Sequence, residues 1–542
     1  MAPEHAGATP RDHGGRTTER AIVTAVTEPK PVAGSGPRTE PSRGPVPLAG
    51  TGHGLAEVAA AVTRAACGAL ATRHPRGPLP TGTPDRVLTE VADALGPEVL
   101  PEHGLGTDAA LHRVARVLVE HGIELSHPWA AAHLQPAPLA VAVAADALAS
   151  AGNASLDTYD SAGSAIAVER WVIGVLAGIA GLGDAADGVF TPGGSLSNLM
   201  ALLLAREAAA ARRGVDVRRD GVAGLPNPVV LCSSVAHFSV HRACATLGLG
   251  EAAVRTVPVD GRRRMRPEAL AGALDALAGE HTPIAVVATA GSTDFGTVDP
   301  LPEVAEVARE HGVWLHVDAA YGFGALFSAR LADRLAGLAL ADSVTVDLHK
   351  LGWQPAAASA LLVRDATAFA PLDRSVAYLN PADDAAAGYD GLLGRSLQTT
   401  RRPDAVKVAA TLLAYGRRGL GQMVEHCHDL ARHAERWIAA APRLDLVAPA
   451  ELTTVVFRYR TADPAQADEV NAALRRRLLH SGQALIGRTA VPSAGPGGTE
   501  HTCLKLTLLN PNTTPRDLDG LLAAVVDAGV ATETDTAGKG AA

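Results

Sequence analysis

The chain has 542 residues, 48 Lys plus Arg against 57 Asp plus Glu for a formal charge of −9, and 47% hydrophobic residues. That is a multi-domain length with ample material for a large core, and a mild acidic excess spread along the chain leaves no electrostatic footprint for nucleic acid or an anionic membrane. The five cysteines (Cys67, Cys232, Cys244, Cys427, Cys503) are widely separated with no CxxC pair, which argues against a disulfide framework and a structural metal.

In chain order, residues 1–50 are rich in Pro, Gly, Arg, Thr and Glu without apolar periodicity, and they read as a disordered tail. They also lack the basic-then-apolar order of a signal peptide, and the longest apolar runs are alanine-rich and broken by Gly, Pro or charge. Both features point to a soluble, cytoplasmic protein. Residues 51–130 form an N-terminal helical segment, in which LAEVAAAVTRAACGALATRH and DAALHRVARVLVEHG repeat apolar residues at three and four.

Residues 131–420 form a large α/β domain. Short β-branched runs, PVVLCSS at 228–234, VRTVPVD at 254–260, PIAVVATAG at 283–291, VWLHVDAA at 313–320 and SVTVDL at 343–348, are separated by helical stretches. That alternation predicts a mostly parallel sheet covered by helices on both faces. Residues 421–531 read as a small C-terminal α+β domain with an antiparallel sheet, built from ELTTVVFRYR, QALIGRTAV and TCLKLTLLN with helices between and after them, and residues 532–542 as a second disordered tail.

In open parallel sheets ligand groups collect where strands end, and four such ends carry candidate chemistry. TPGGSLSN, Thr191 to Asn198, precedes a helix and offers glycines, hydroxyls and a helix N-terminus, a cradle for phosphate; Gly-Gly-Ser before a helix is equally a common capping turn. Asp318 ends the run HVD, where a carboxylate is costly unless a cation meets it or it caps the following turn. His237 follows the run ending at Ser233, free to stack flat on a ring or to serve as an ordinary helix-start residue. Lys350 follows SVTVDLH.

Lysine is scarce here: the 48 basic residues include only Lys30, Lys350, Lys407, Lys505 and Lys539. Arginine serves as well on a solvated surface but not where an amine must act as a nucleophile. A lysine in an apolar, partly desolvated setting can form a Schiff base. Taken singly, each end has an ordinary structural explanation. Together, a phosphate loop, an aromatic stacker, a carboxylate and a lysine 32 residues beyond it supply what pyridoxal phosphate requires.

The stretches HPWAAAHL, NASLDTYD, GVFTPGGSLSNL, AHFSVHRA, ATAGSTDFGTVDPL, WLHVDAAYG, ADSVTVDLHK and SLQTTRRPDAVK, in this order over residues 105–530, resemble the group II pyridoxal-phosphate amino-acid decarboxylases, which include aromatic amino-acid, glutamate and diaminobutyrate decarboxylases. The resemblance implies a fold type I, PLP-dependent transferase-like large domain and a homodimer with the site at the subunit boundary. It implies Lys350 as the Schiff-base lysine, Asp318 as the pyridinium partner, His237 stacked over the ring and Ala320 beneath it. Gly194, Ser195 and Ser343 fall at phosphate-site positions, Thr293 near the ring hydroxyl, and His349 beside phosphate and substrate. Lys407 matches a framework lysine.

In such enzymes a mobile loop after the lysine delivers a tyrosine, and LDRSVAYLN puts Tyr378 at the matching spacing. A tyrosine there implies protonation at Cα and release of the amine, whereas relatives with phenylalanine tend toward aldehyde formation. Two departures stand out: Asp347 where many relatives carry asparagine, and Phe238 where serine is usual.

Trp129 and His133 match the substrate-facing wall, with small residues Ala130 to Ala132 between them. NASLDTYD and SLQTTRR resemble diaminobutyrate and lysine decarboxylases more than the aromatic enzymes. A diamino acid needs an acceptor for its distal ammonium, and Asp157, Asp160 and Asp347 are candidates. The reading is therefore decarboxylation of an L-amino acid, with a leaning to a diamino acid over an aromatic or aliphatic one. An aldehyde-forming or aminotransferase relative, and a silent dimeric homologue, are the alternatives.

Overall fold

The computed structural model describes residues 48–70, 77–277, 279–492 and 498–540, with the side chains of 537–540 left aside. Apart from residues 48–50, the tail expected over 1–50 lies outside the described residues. In chain order the strands begin with β1 (Ala130–Ala131), β2 (Asp187–Thr191), β3 (Pro228–Ser233), β4 (Val254–Val257), β5 (Thr282–Thr289) and β6 (Trp314–Asp318). Then follow β7 (Ser343–Asp347), β8 (Ser359–Val363), β9 (Leu444–Ala448), β10 (Thr454–Tyr459), β11 (Leu485–Pro492) and β12 (Glu500–Thr507).

The large sheet has the order β2-β8-β7-β6-β5-β3-β4. Strands β3 to β7, the five β-branched runs of the sequence, pair in parallel. Strand β8 is antiparallel to both β7 and β2, so β2 points the same way as β7. Because successive side chains alternate between faces, β3 sends Val229 and Leu231 to one core and Val230 and Cys232 to the other. The first core is closed by Val172 and Leu176 of the helix Ser164–Ala180 and by Leu301 and Val304 of the helix Leu301–Glu310. The second is closed by Met200 to Leu204 of the helix Gly194–Arg212. Each fully buried Val or Leu contributes about 1.5–3 kcal/mol over its exposed state.

The small sheet, β1-β11-β12-β10-β9, is antiparallel except at β1, which runs parallel to β11 through Ala130 opposite Leu485. The HPWAAAHL segment thus joins the C-terminal sheet. The helix Ala405–Ala440 links the two sheets and runs through residue 420, breaking instead at Gly416, whose φ of 58° is open to glycine. The last helix spans Pro515–Gly540, which corrects the expectation of a disordered tail from 532 up to that point. A buried ion pair ties this frame to β2: Arg401 Nη1 donates to Glu169 Oε1 at 2.8 Å and Oε2 at 3.1 Å, and both side chains also bond the backbone of Phe190. All five cysteines are free, and no described helix is long and apolar enough to cross a membrane.

Candidate active site

Strands β2, β3, β5, β6 and β7 all end at one edge of the large sheet, which is why residues far apart in sequence meet there. A cavity of about 270 Å³ opens at that edge. It is lined by Gly194 and Ser195 after β2, His237 after β3, Thr293 after β5, Asp318 and Ala320 at the end of β6, and His349 and Lys350 after β7. Asn198, Thr289, Tyr321 and Asp347 complete the lining that concerns the chemistry.

The helix Gly194–Arg212 starts without a side-chain cap at Gly193, which leaves first-turn N–H groups and the positive end of the dipole facing the cavity. A Cβ on Gly194 would come to 2.9 Å from Asp347 Oδ2. Glycine therefore lets the helix start lie against the end of β7.

Asp318 is buried and meets neutral donors: Asn198 Nδ2 donates to its Oδ2 at 2.8 Å and the Ala320 N–H to its Oδ1 at 3.1 Å. It has no ion pair among the described residues. His237 has its pKa lowered, chiefly by burial and against the pull of Asp318, so it stands as a neutral ring. Its Nδ1 is 2.8 Å from Ser239 Oγ. Phe238 points outward with its ring 4.3 Å from His237 and under the guanidinium of Arg242, so the departure from serine alters the rim.

Lys350 is not in the apolar setting expected for it: its Nζ lies 3.0 Å from Asp347 Oδ2. Asp347 also accepts from the Ser359 hydroxyl and has His349 Nε2 at 3.7 Å. Burial lowers the His349 pKa, with Asp347 opposing. Three residues on, Trp353 is buried at a φ of 52°, a left-handed conformation costly for a bulky residue. It is held there by its indole N–H, which donates to the Leu509 carbonyl at 2.7 Å, and by the Leu139 N–H, which donates to the Trp353 carbonyl at 2.9 Å.

Four expected site residues lie elsewhere. Ser343 is the first residue of β7, roughly 13 Å of strand from Asp347, and its hydroxyl is taken by Trp314 and His316. It therefore stands at the opposite edge from a phosphate cradle. Trp129 faces the small-domain core, its indole donating to the Asp517 carbonyl at 2.9 Å. His133 is exposed and outside the cavity lining, because β1 fastens its segment to β11. Tyr378 is 84% exposed and lines a separate surface pocket with Thr158, Tyr159, Asp160 and Tyr389. Of the aspartates considered for a distal ammonium, Asp347 lines the cavity, whereas Asp157 and Asp160 do not. Lys407 is buried in an ion-pair cluster with Asp146 and Asp404, away from the chemistry.

Sequence reasoning assigned no role to Asn198, His316 or Thr289. His316 and Asp318 are two apart on β6 and so share a face, a spacing visible in WLHVD. Asn198 is a polar residue one helical turn beyond Gly194 and Ser195, just before the apolar run Leu199 to Ala205.

The site makes demands it does not itself meet. Among the described residues, Asp318 is a buried carboxylate lacking a cation, Thr289 Oγ1 is buried with no hydrogen-bond partner, and the helix start has no side-chain cap. A planar ring with a protonated nitrogen and a phosphate tail, as in pyridoxal 5'-phosphate, answers them. Asp318 and His237 would hold the ring, Gly194 and Ser195 the phosphate, and Lys350 the aldehyde carbon.

Residues 91–460 match the family described as pyridoxal-dependent decarboxylase conserved domain. The chain is 43% identical over 448 residues to an L-2,4-diaminobutyrate decarboxylase of Rhizobium meliloti (strain 1021), covering 82% of this chain and 86% of that one. It is 34% identical over 437 residues to the enzyme of the same name from Acinetobacter baumannii, at 78% and 84% coverage. Among solved structures, the glutamate decarboxylase domain of a diaminobutyrate-pyruvate transaminase and L-2,4-diaminobutyrate decarboxylase from Vibrio parahaemolyticus superposes with a TM-score of 0.77 at 33% identity, over 88% of this chain and 96% of that one. Likeness of this extent takes in the cavity as well as the frame around it, and the chain belongs to the pyridoxal-dependent decarboxylases, enzymes that use pyridoxal 5'-phosphate to remove the carboxyl group of an amino acid.

Proposed function

We propose that the substrate is an L-amino acid with a second, distal amino group, of the 2,4-diaminobutyrate type, and that the products are CO2 and the corresponding diamine. The observation that carries this reading is the 43% identity, across most of both chains, to an L-2,4-diaminobutyrate decarboxylase. An acid in the cavity supports it: Asp347 is paired with the Lys350 ammonium, and once Lys350 is engaged with the cofactor that carboxylate is free to take another cation.

Bound pyridoxal phosphate supplies an electron sink for the pair left on Cα as CO2 departs. The chain's own residues do the rest. Asp318 keeps a proton on the ring nitrogen by presenting a carboxylate to it, and His237, neutral and half-buried, closes one face of the cavity. Gly194, Ser195 and the helix start orient the phosphate. Tyr378 delivers a proton to Cα from a partner subunit, a role supported by its exposure on a loop outside the cavity of its own chain.

The protein acts as a homodimer. Supporting this, Val58, Val62, Leu88, Val114 and Leu118 on the N-terminal helices and Leu413 and Tyr415 on the linking helix are exposed, a large apolar surface for a monomer. A cytoplasmic location is supported by five cysteines that are all free. The test is a panel of L-amino acids assayed for CO2 and amine with the purified protein. Stoichiometric CO2 and 1,3-diaminopropane from L-2,4-diaminobutyrate is the expected result; release of CO2 from glutamate or an aromatic amino acid in preference to every diamino acid would overturn the substrate assignment.

A further inference from the structure

We infer that Asn198 is a positioning residue that fixes both partners of the cofactor ring, Asp318 and His237, from one buried side chain. The inference rests on the reading of those two residues as the ring's partners. The Asn198 amide is buried, and its nitrogen serves two acceptors, Asp318 Oδ2 at 2.8 Å and Ser239 Oγ at 2.9 Å. Ser239 Oγ in turn lies 2.8 Å from His237 Nδ1. The two hydrogens of one amide therefore set the carboxylate at the end of β6 and, through one hydroxyl, the imidazole after β3.

The orientation of that amide is determined by its neighbours. A carboxylate only accepts, so the nitrogen faces Asp318 and the oxygen faces the other way. There Oδ1 takes the Thr345 hydroxyl at 2.7 Å and His316 Nε2 at 3.0 Å. An amide oxygen only accepts, so His316 carries its proton on Nε2. Burial drives the His316 pKa down to about 4, so the ring is neutral and Nδ1 is bare. Nδ1 then accepts the Ser343 hydroxyl at 2.9 Å, and Ser343 Oγ accepts the Trp314 indole N–H at 2.9 Å. From Trp314 through Ser343, His316 and Asn198, every proton points toward Asp318. Such a one-way chain polarises each successive bond, and it ends on Asp318, the carboxylate that would hold the ring nitrogen. This gives Ser343 a role at a distance from the phosphate.

The test uses full-length protein freed of cofactor and titrated with pyridoxal phosphate, together with steady-state kinetics. N198A is expected to lower cofactor affinity and kcat by about 10- to 100-fold each, the usual scale for removing a hydrogen bond to a charged group, with KM for the amino acid unchanged. N198D keeps the shape but replaces the donors with a like charge beside Asp318, and is expected to be worse than N198A. A residue that only filled space would tolerate that change better than truncation. S343A, which leaves the cavity lining intact, is expected to shift the visible absorption band of the bound cofactor and to lower affinity about 2- to 5-fold, a fraction of one hydrogen bond passed along the chain; it keeps the inference testable if the Asn198 variants do not fold.

Wild-type affinity, spectrum and kcat in N198A and N198D, or a variant that loses only thermal stability, would overturn the inference. An S343A protein with wild-type spectrum and affinity would overturn the chain behind Asn198. If the wild-type protein itself took up no pyridoxal phosphate, the reading of Asp318 and His237 would fall first, so the two failures are distinguishable.

Discussion

Removing one partner of the Glu169–Arg401 pair is the sharpest test of what holds the frame of the site. Both side chains are almost fully withdrawn from water, at 2% and 4% exposure. Glu169 Oε1 accepts from Arg401 Nη1 and from the Phe190 N–H at 3.3 Å, and Arg401 Nη1 also donates to the Phe190 carbonyl at 3.3 Å. E169A would leave a guanidinium buried without a counter-charge, which costs about 3–5 kcal/mol. It would also strip the Phe190 N–H of its acceptor, adding about 1–3 kcal/mol. Relaxation and water entry would recover part of this, so a loss of about 4 kcal/mol is expected for E169A and a similar one for R401M. The double variant E169L/R401M removes both charges and is expected to lie within about 2 kcal/mol of wild type. Urea unfolding of the cofactor-free protein at fixed concentration measures all three. With E169L as the matching single variant, expected to lose about as much as E169A, the coupling between the two sites should be several kcal/mol in the favourable direction. Single-variant losses below about 1 kcal/mol, or a double-variant loss equal to their sum, would refute the reasoning. Because Phe190 immediately precedes Thr191 at the mouth of the phosphate loop, E169A should also weaken cofactor binding.

Lys350→Ala should abolish the covalent attachment that borohydride fixes in the wild-type protein, with turnover reduced at least about 1,000-fold; near-native turnover would remove the basis of the whole mechanism. Tyr378→Phe should divert part of the product to aldehyde and ammonia, with dissolved O2 as the two-electron oxidant and H2O2 formed in equal amount, read by carbonyl derivatisation and peroxide assay, while its exposure keeps the unfolding free energy within about 0.5 kcal/mol of wild type; amine as sole product would count against a proton from Tyr378. His316 should make stability pH-dependent. Its pKa is about 4 in the folded chain against an ordinary 6.5, so the unfolded state binds the proton more readily. Its contribution is fully present above about pH 6.5 and is lost as the pH falls toward 4, in total about 3 kcal/mol. Urea midpoints from pH 7 to 4.5 should fall more steeply for wild type than for His316→Asn, and parallel slopes would contradict the assignment.

The large sheet was legible because strands buried on both faces are short, nearly continuous apolar or β-branched runs, a signal carried by β3, β5, β6 and β7, whereas the edge strand β4 shows only its β-branched residues. Strand β8 was not, since SALLV in an alanine-rich stretch carries no period of its own, and the two alanines of β1 take strand form by pairing with β11. The same pairing removed Trp129 and His133 from the cavity, because β11, the strand their segment joins, lies more than 350 positions later. Ser343 illustrates a different limit. Its position in the chain matched a phosphate site, yet strand direction puts the first residue of β7 at the wrong edge. What placed Gly194, Ser195, His237, Asp318, Ala320, Thr293, His349 and Lys350 around one cavity was the rule that parallel strands end together. The acid at 347 was visible as an oddity in sequence, but its partner could be identified only in three dimensions, where it faces the very lysine expected to stand among apolar groups.

The conformation of Trp353 bears on how the enzyme is made. The turn carrying the reactive lysine is locked by a bond from Trp353 to the Leu509 carbonyl, 156 residues further along the chain. A nascent chain stalled after the large sheet would own every cofactor-contacting side chain and still lack the clamp that keeps their geometry. Loading with vitamin B6 is thereby tied to synthesis of the small domain, and chains truncated before Leu509 should remain colourless.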